Sequence, residues 1–221
     1  MKRLALAAAL AASTAVGAQA ADLRVAPAYG APIVVPYLWS GFYIGANVGG
    51  HFGHDKVTSD VFSGTLNPQG VIGGLQGGYN WQFGAVVAGV EVDTNWLSGK
   101  TSSINSSVNP EFLLTARARL GWAAWDRALF YLTGGYALAN LNFNDSVGFA
   151  SSSVTPHRTG WTIGAGFEYG LTEAWSVKAE YLYVDLGTYA NSLPAPFSSN
   201  FRHQYTDNIA RVGVNYRFGA F

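Results

Sequence analysis

The last stretch of the chain decides the fold: Thr206-Asp-Asn-Ile-Ala-Arg-Val-Gly-Val-Asn-Tyr-Arg-Phe218, followed by Gly219-Ala-Phe221. In an extended strand, successive side chains point to opposite faces. One face then carries Ala210, Val212, Val214, Tyr216 and Phe218, and the other carries Arg211 and Arg217. An unbroken apolar face that ends in aromatic residues, with charge behind it, is typical of a strand that closes a transmembrane β-barrel.

The same alternation recurs in seven segments upstream, which begin near Phe42, Val71, Val86, Phe112, Phe130, Trp161 and Trp175. In none of the eight does the apolar face carry a charged residue, whereas charges are common on the other face. A half-buried soluble sheet would hide its apolar face and show its charges. The pattern therefore predicts an all-β fold, an eight-stranded antiparallel transmembrane β-barrel with its apolar face toward lipid.

The composition supports this fold class. Charged residues are only 12% of the chain, roughly half the usual quarter, while glycine (27 residues) and aromatic residues (14%) are abundant. Beyond residue 20, no apolar run reaches the roughly 18 residues that a spanning helix needs, so a closed barrel is the remaining way to cross a bilayer. The absence of cysteine excludes disulfides and thiolate metal sites.

The N-terminus divides into two segments that precede the barrel. Residues 1–20 have the basic start, short apolar run and small-residue end of a secretory signal peptide, with cleavage predicted between Ala20 and Ala21. Residues 21–38 are rich in proline and alanine and are predicted to form a periplasmic leader. Residues 39–221 are assigned to the outer-membrane barrel.

The charge of the mature chain argues against nucleic acid as a partner. Removing Lys2 and Arg3 from the 13 basic residues leaves 11 against 13 acidic residues, a net charge of −2.

The connections alternate between short and long. The short ones are Gly84-Ala85, Asp126-Arg127 and Thr172-Glu173, and the long polar ones are 54–68, 98–110, 142–155 and 187–203. This asymmetry predicts short periplasmic turns, four long extracellular loops, and both termini in the periplasm.

Aromatic residues are predicted to form two belts at the membrane interfaces. The periplasmic belt contains Tyr79, Trp81, Phe83, Trp122, Phe130, Phe167, Tyr169, Trp175, Tyr216 and Phe218. The extracellular belt contains Trp96, Phe112, Trp161, Tyr181, Tyr183 and Tyr205.

Eight charged residues of the inward faces, four acidic and four basic, are predicted to lie inside the barrel. They are Glu91, Asp93, Glu168 and Glu180, and Arg117, Arg119, Lys178 and Arg211. Because buried charge is tolerated only when it is paired, the even balance predicts a charge network that largely plugs the lumen. Neighbouring carboxylates also suit acid–base catalysis, but their compensation by cations favours a structural role. We therefore expect no enzyme activity and assign no catalytic residue.

The four histidines, His51, His54, His157 and His203, lie in or near the predicted loops. The His51-x-x-His54 spacing suggests a metal or haem contact. On a strand, however, residues three apart face opposite sides, and a third ligand is not evident. We expect no cofactor and no dedicated metal site.

Four segments together resemble a known family: Trp39–Gly50, Gly74–Gln82, Thr115–Trp122 and Arg211–Phe218. They resemble the small outer-membrane barrel proteins of Gram-negative bacteria called porin family or outer-membrane immunogenic proteins, whose fold is that of the OmpA transmembrane domain. The resemblance implies an eight-stranded barrel at the cell surface with antigenic loops and a part in envelope integrity. Some relatives are described as haem binders. The added Gly219-Ala-Phe221 departs from the pattern, in which the strand often ends at the aromatic that matches Phe218.

These observations predict a structural, surface-displaying outer-membrane protein with a largely plugged lumen. The alternatives are a narrow porin for small solutes and loop-mediated binding of haem or another ligand. The expected partners are outer-membrane lipid and lipopolysaccharide, the barrel-insertion machinery and periplasmic chaperones during biogenesis, and extracellular ligands at the loops. The insertion signal is predicted to be Val212, Val214, Tyr216 and Phe218.

Overall fold

The computed structural model describes residues 37–59, 63–99, 101–102, 106–125, 127–147, 150–154, 157–192 and 200–219. The described residues form eleven strands: β1 Gly41–Ser59, β2 Ser63–Leu66, β3 Gln69–Phe83, β4 Val86–Leu97, β5 Thr101–Ser102, β6 Ser106–Ala124, β7 Ala128–Val147, β8 Ala150–Val154, β9 His157–Gly170, β10 Trp175–Ser192 and β11 Asn200–Arg217. Within these ranges the structure contains no helix that could cross a membrane.

Eight long strands close into an antiparallel barrel, which confirms the predicted fold class. The strands β1, β3, β4, β6, β7, β9, β10 and β11 each pair with the next in this order, and β11 pairs back with β1. The closing register runs from Tyr43 opposite Arg217 to Ser59 opposite Phe201. The short strands β2, β5 and β8 extend the hairpins by pairing with β1, β6 and β7.

One end of the barrel, called the turn end here, carries the short connections. Gly84 adopts a φ of 63° in the tight turn between β3 and β4, which a residue without a Cβ does at little cost. Trp125 adopts a φ of 52° in the turn between β6 and β7. Residues 171–174 form the third turn, where the Leu171 amide donates to the Trp175 carbonyl at 2.8 Å.

The opposite end, called the hairpin end, differs from the sequence prediction. The segments predicted as long loops are in large part strand, because β1, β6, β7, β10 and β11 run into them and β2, β5 and β8 lie within them. These segments are polar, but polarity outside the apolar band does not prevent strand pairing. Backbone ladder hydrogen bonds continue wherever two strands remain in register.

The outward faces agree with the alternation read from the sequence. Leu132 and Val90 are 68% and 49% exposed, while their neighbours Tyr131 and Glu91 are buried. Outward rings also pair at both ends: Trp175 lies 5.1 Å from Tyr216 at the turn end, and Trp161 lies 5.6 Å from Tyr183 toward the hairpin end.

Tyr205 does not belong to the extracellular aromatic belt to which the sequence assigned it. It lies on the inward parity of β11, is buried, and donates its hydroxyl proton to Asp207 Oδ2 at 3.1 Å. The assignment to the outward belt was wrong because an odd-numbered residue of β11 shares the face of Arg211, not that of Phe218.

The lumen is filled in three layers. An aromatic layer at the turn end contains Tyr37, Trp39, Val87, Leu129 and Tyr131. The polar charge network lies in the middle. An apolar layer toward the hairpin end includes Ile72, Leu113, Ala137, Leu182 and Ile209. The core of the protein is therefore the inside of the barrel, and its exterior is the apolar surface.

The end of β11 leads to a prediction about insertion. The Phe218 amide donates to the Phe42 carbonyl at 2.9 Å, and its ring lies 5.1 Å from that of Tyr216. Ala220 and Phe221 lie outside the described residues. We expect Phe218→Ala to reduce the amount of folded protein in the outer membrane, and deletion of residues 219–221 to leave it unchanged. Heat-modifiable mobility of the membrane fraction on gels measures this, and the reverse result would place the signal at Phe221.

The apolar exterior leads to a second prediction. Val90 lies midway along the outward face of β4. Val90→Arg would place a charge against hydrocarbon, and we expect a loss of roughly 2–4 kcal/mol in the free energy of unfolding. Urea unfolding in lipid vesicles measures the loss, with Val90→Leu as the apolar control. Equal stability of the two variants would contradict a lipid-facing position.

Candidate functional site

The structure brings all eight predicted lumen residues together in the central layer. Glu91 and Asp93 lie on β4, Arg117 and Arg119 on β6, Glu168 on β9, Lys178 and Glu180 on β10, and Arg211 on β11. Each is at most 4% exposed. A strand presents every second residue to the lumen, so the sequence parity already placed these side chains on the inward face.

Arg117 and Arg211 form the centre of the network. Arg117 binds Glu91, and its guanidinium also contacts Asp93 at 2.8 Å and Glu180 at 3.1 Å. Arg211 binds Asp93 at 3.0 Å and Glu180 at 2.5 Å. Two arginines thus hold three carboxylates between them, and the planar guanidinium suits such multidentate contacts.

The remaining members attach to this centre. Lys178 Nζ lies 2.9 Å from both oxygens of Glu91. Arg119 binds Glu168 at 2.8 Å and approaches Glu91 at 3.5 Å. Each of the four carboxylates therefore contacts at least one cation, and Glu91 contacts several. Pairing of this kind compensates the desolvation of charge in the lumen.

Some of these contacts follow strand register and others cross the lumen. Glu91 lies directly opposite Arg117 in the β4–β6 pair, and Glu180 lies opposite Arg211 in the β10–β11 pair. Lys178 lies opposite Glu168 in the β9–β10 pair, yet its ammonium group contacts Glu91 on β4. The contact from Lys178 to β4 exists only because the barrel is closed.

The prediction from sequence missed several neutral members of the network. Tyr43 donates to Glu91 at 2.8 Å, Tyr131 donates to Glu180 at 3.0 Å, and Ser176 donates to Glu168 at 2.5 Å. The Arg119 guanidinium also lies 4.0 Å from the centre of the Tyr131 ring. These residues share the inward parity of their strands, so the same alternation would have found them.

A separate cluster covers the lumen at the turn end. Trp39 is 1% exposed, and its backbone amide donates to Gln82 Oε1 at 2.7 Å. Arg217 stacks over the Tyr37 ring at 4.4 Å, and it donates to the backbone carbonyls of Leu38 and Glu173. The residues just before β1, which the sequence assigned to a leader and the start of the barrel domain, thus pack into the mouth of the barrel.

Two of the histidines that the sequence placed in or near the loops are strand residues buried in the lumen. His51 is buried in the lumen, with Nδ1 3.0 Å from Asp207 and Nε2 2.7 Å from the Ser98 carbonyl oxygen. His203 is also buried, with Nδ1 2.8 Å from Asp55. The inward parity of β1 and β11 continues further than the predicted strand ends, which is why both residues were misplaced.

The other two histidines lie elsewhere. His54 faces outward, on the opposite face from His51, as the strand argument predicted. His157 is exposed, and its Nδ1 lies 2.7 Å from Asn140 Oδ1. Within the part of the chain that the structure describes, no group of three His, Asp or Glu side chains is placed to hold a metal ion.

The carboxylates of the network are held by cationic and hydroxyl donors. Acid–base catalysis needs a group that exchanges a proton with substrate. Here the carboxylates are engaged by guanidinium, ammonium and hydroxyl donors, and they are buried. The arrangement holds strands of opposite walls together and occupies the lumen.

Two other groups of residues were predicted from the sequence, the signal-peptide cleavage position and the insertion signal. The predicted cleavage position, Ala20 and Ala21, lies outside the described residues. The predicted insertion signal lies on the exposed face of β11 and just beyond it, at Val212, Val214, Tyr216 and Phe218. Its role stays a prediction.

Comparison with known proteins places the chain in a family. Residues 5–218 match the family described as "Outer membrane protein beta-barrel domain". The 31 kDa outer-membrane immunogenic protein of Brucella melitensis is 36% identical over 237 residues, covering 96% of this chain and 98% of the relative. The 22 kDa outer membrane protein of Rhizobium leguminosarum bv. viciae is 30% identical, covering 85% of this chain and 82% of the relative.

A solved structure supports the fold. The outer membrane protein OprG from Pseudomonas aeruginosa superposes with a TM-score of 0.54 at 11% sequence identity, covering 80% of this chain and 97% of that one. At this identity the likeness concerns the fold alone. The barrel, its apolar exterior and the match over nearly the whole chain together show that this protein belongs to the outer-membrane β-barrel family that includes the Brucella outer-membrane immunogenic proteins.

Proposed function

We propose that this protein is a structural, surface-displaying barrel of the outer membrane whose lumen does not conduct solutes. The observation that carries the proposal is the central charge network, in which Arg117 and Arg211 bridge carboxylates of β4 and β10 across the lumen. An eight-stranded barrel has an interior just wide enough for its own side chains. The bridging arginines occupy that space.

The layers on both sides of the network support the same proposal. Trp39 and Tyr37 pack into the turn end, and apolar side chains such as Ile72 and Leu182 fill the lumen toward the hairpin end. A solute would have to displace all three layers. The narrow-porin alternative would require the buried ion pairs to separate during transport, which costs several kcal/mol for each uncompensated charge.

Surface display follows from the orientation that we propose. Short turns of outer-membrane barrels face the periplasm, and longer connections face outward. The turn end, with the residues that precede β1, would then be periplasmic, and the hairpin end would be exposed to the exterior. The name of the Brucella relative, 31 kDa outer-membrane immunogenic protein, is consistent with exposure of such hairpins to antibodies.

Haem or ligand binding at the loops receives less support. Both ring nitrogens of His51 have partners, Asp207 and the Ser98 carbonyl, and His203 contacts Asp55. A ligand that used His51 would have to break at least one of these hydrogen bonds. A haemin titration of the purified protein tests this alternative, which needs a spectral shift that depends on His51, His54 or His203.

The proposal predicts the electrical behaviour of the protein. We expect the purified protein in planar bilayers to show no steady single-channel conductance, because the network spans the lumen. The triple variant Arg117→Ala, Glu180→Ala and Arg211→Ala removes the central side chains but leaves the layers on both sides in place, and we expect at most brief openings from its folded fraction. Steady conductance of the unmodified protein would contradict the proposal and favour the porin alternative.

The network also predicts stability. Arg117→Ala removes the cation shared by Glu91, Asp93 and Glu180 and leaves buried negative charge uncompensated. We expect a loss of about 3 kcal/mol in the free energy of unfolding. Urea unfolding in vesicles measures the loss, with Arg127→Ala, an exposed arginine at the turn end, as the control. Equal unfolding midpoints for the two variants would argue against a network that stabilises the barrel.

A further inference from the structure

The buried imidazole of His51 connects the strands that close the barrel to the segment that follows β4. Its Nδ1 atom lies 3.0 Å from Asp207 Oδ2 on β11, and its Nε2 atom lies 2.7 Å from the backbone carbonyl oxygen of Ser98. The Tyr205 hydroxyl donates to the same oxygen of Asp207 at 3.1 Å. One side chain of β1 thus contacts both β11 and the residue just beyond the end of β4.

The two partners of His51 determine how many protons its ring carries. A backbone carbonyl oxygen can only accept a hydrogen bond, and so can an ionised carboxylate. Asp207 Oδ2 already accepts a hydrogen bond from Tyr205, which favours the carboxylate ion over the acid. Because both ring nitrogens face acceptors, both carry a proton, and His51 is an imidazolium ion paired with Asp207.

A glycine makes room for the Ser98 carbonyl beside the imidazole. Gly70 of β3 lies directly opposite His51 in the β1–β3 pair. A Cβ atom at this position would lie only 1.9 Å from the Ser98 carbonyl oxygen, so any other residue would push the carbonyl away. The Ser98 amide also donates to the Val71 carbonyl at 2.9 Å. The contact between His51 and Ser98 therefore depends on a specific residue of β3 as well as on the histidine.

The other ionisable groups near His51 are already paired. His203 of β11 and Asp55 of β1 join the same two strands, with 2.8 Å between Nδ1 and Oδ2. Toward the centre of the barrel, Asp93 and Arg211 contact each other at 3.0 Å. The inward positions next to His51 and Asp207 on β3, β4 and β10 cannot ionise; by register they are Gly70, Ile72, Asn95, Leu97, Leu182 and Val184. Asp207 is therefore the counter-ion that holds the proton on His51.

We propose that Asp207, His51 and the Ser98 carbonyl form a clasp, operated by one proton, that holds the segment after β4 against the closing strands. Loss of the Nε2 proton leaves a lone pair that faces the carbonyl oxygen, and the segment is released. Because the closed clasp binds the proton, it is closed at low pH and opens as the pH rises above the ordinary histidine pKa of about 6.5. In the orientation proposed above, on which this clause rests, the pH outside the cell sets the clasp.

Electron paramagnetic resonance of the full, folded protein in detergent micelles tests the clasp. The chain contains no cysteine, so a nitroxide attached to the variant Ser102→Cys reports on one exposed position shortly after Ser98. We expect the label to change from an immobile to a mobile spectrum as the pH is raised from about 5 to about 9. His51→Gln cannot carry the charge and should abolish this pH dependence. His54→Gln, exposed on the outward face of the same strand, is the matched control and should retain it.

A second pair of variants tests the clasp without removing an ionisable group. Gly70→Ala should displace the Ser98 carbonyl and leave the label mobile at every pH. Gly73→Ala is its control, because an added Cβ atom there meets only the Asn47 carbonyl oxygen, at 3.6 Å, and the label should respond to pH as before.

Two results would overturn the clasp. One is a label whose mobility in the otherwise unmodified protein does not change with pH, and the other is a pH dependence that persists in His51→Gln. Micelles expose both ends of the barrel to the same buffer, and the label does not report on the lumen. The result is therefore independent of the proposed orientation and of whether the lumen conducts.

Discussion

The pairing of β1 with β11 is the contact on which the rest of the structure depends. It closes the sheet along a register that runs from Tyr43 opposite Arg217 to Ser59 opposite Phe201. In hydrocarbon an unpaired strand edge would leave backbone amides and carbonyls without partners, at a cost of several kcal/mol for each group. Closure removes both edges at once. It also turns the inward faces of eight strands toward one another, so that charged side chains enter a space with little water.

That confined space explains the composition of the lumen. Four carboxylates and four cations occupy the central layer, and tyrosine and serine hydroxyls donate further hydrogen bonds to the carboxylates. A single buried charge would be costly, and a paired set is tolerated. The apolar layer near Ile72 and Leu182 and the aromatic layer at Trp39 require no such compensation. The outward face differs from the lumen, because its middle is apolar. Exposed cations such as Lys56 and Arg202 lie beyond the apolar band, near the hairpin end.

The limits of sequence reasoning are visible in particular residues. Tyr205 was assigned to an outer belt although it shares the parity of Arg211, and His51 and His203 were placed in or near loops although they lie in the lumen. For Tyr205 the error was one of parity, and for the two histidines it came from ending the strand too early. The polar residues beyond the apolar band have the composition of a loop. The backbone hydrogen bonds that extend β1 and β11 there do not depend on hydrophobicity, so the hydrophobic pattern does not reveal them.

The sequence by itself determined the fold class, the number of spanning strands and the face on which each spanning residue lies, because strand side chains alternate with a period of two and the lipid tolerates no charge. The eight charged residues of the central layer were also predicted to face inward. Only the tertiary structure decided their partners. Lys178 contacts Glu91 and not its register neighbour Glu168, and Arg117 contacts Glu180 from the far wall. Such contacts depend on the closure and stagger of the barrel, which bring together strands that are distant in the chain. The local periodicity of one strand does not indicate which other strands it will face.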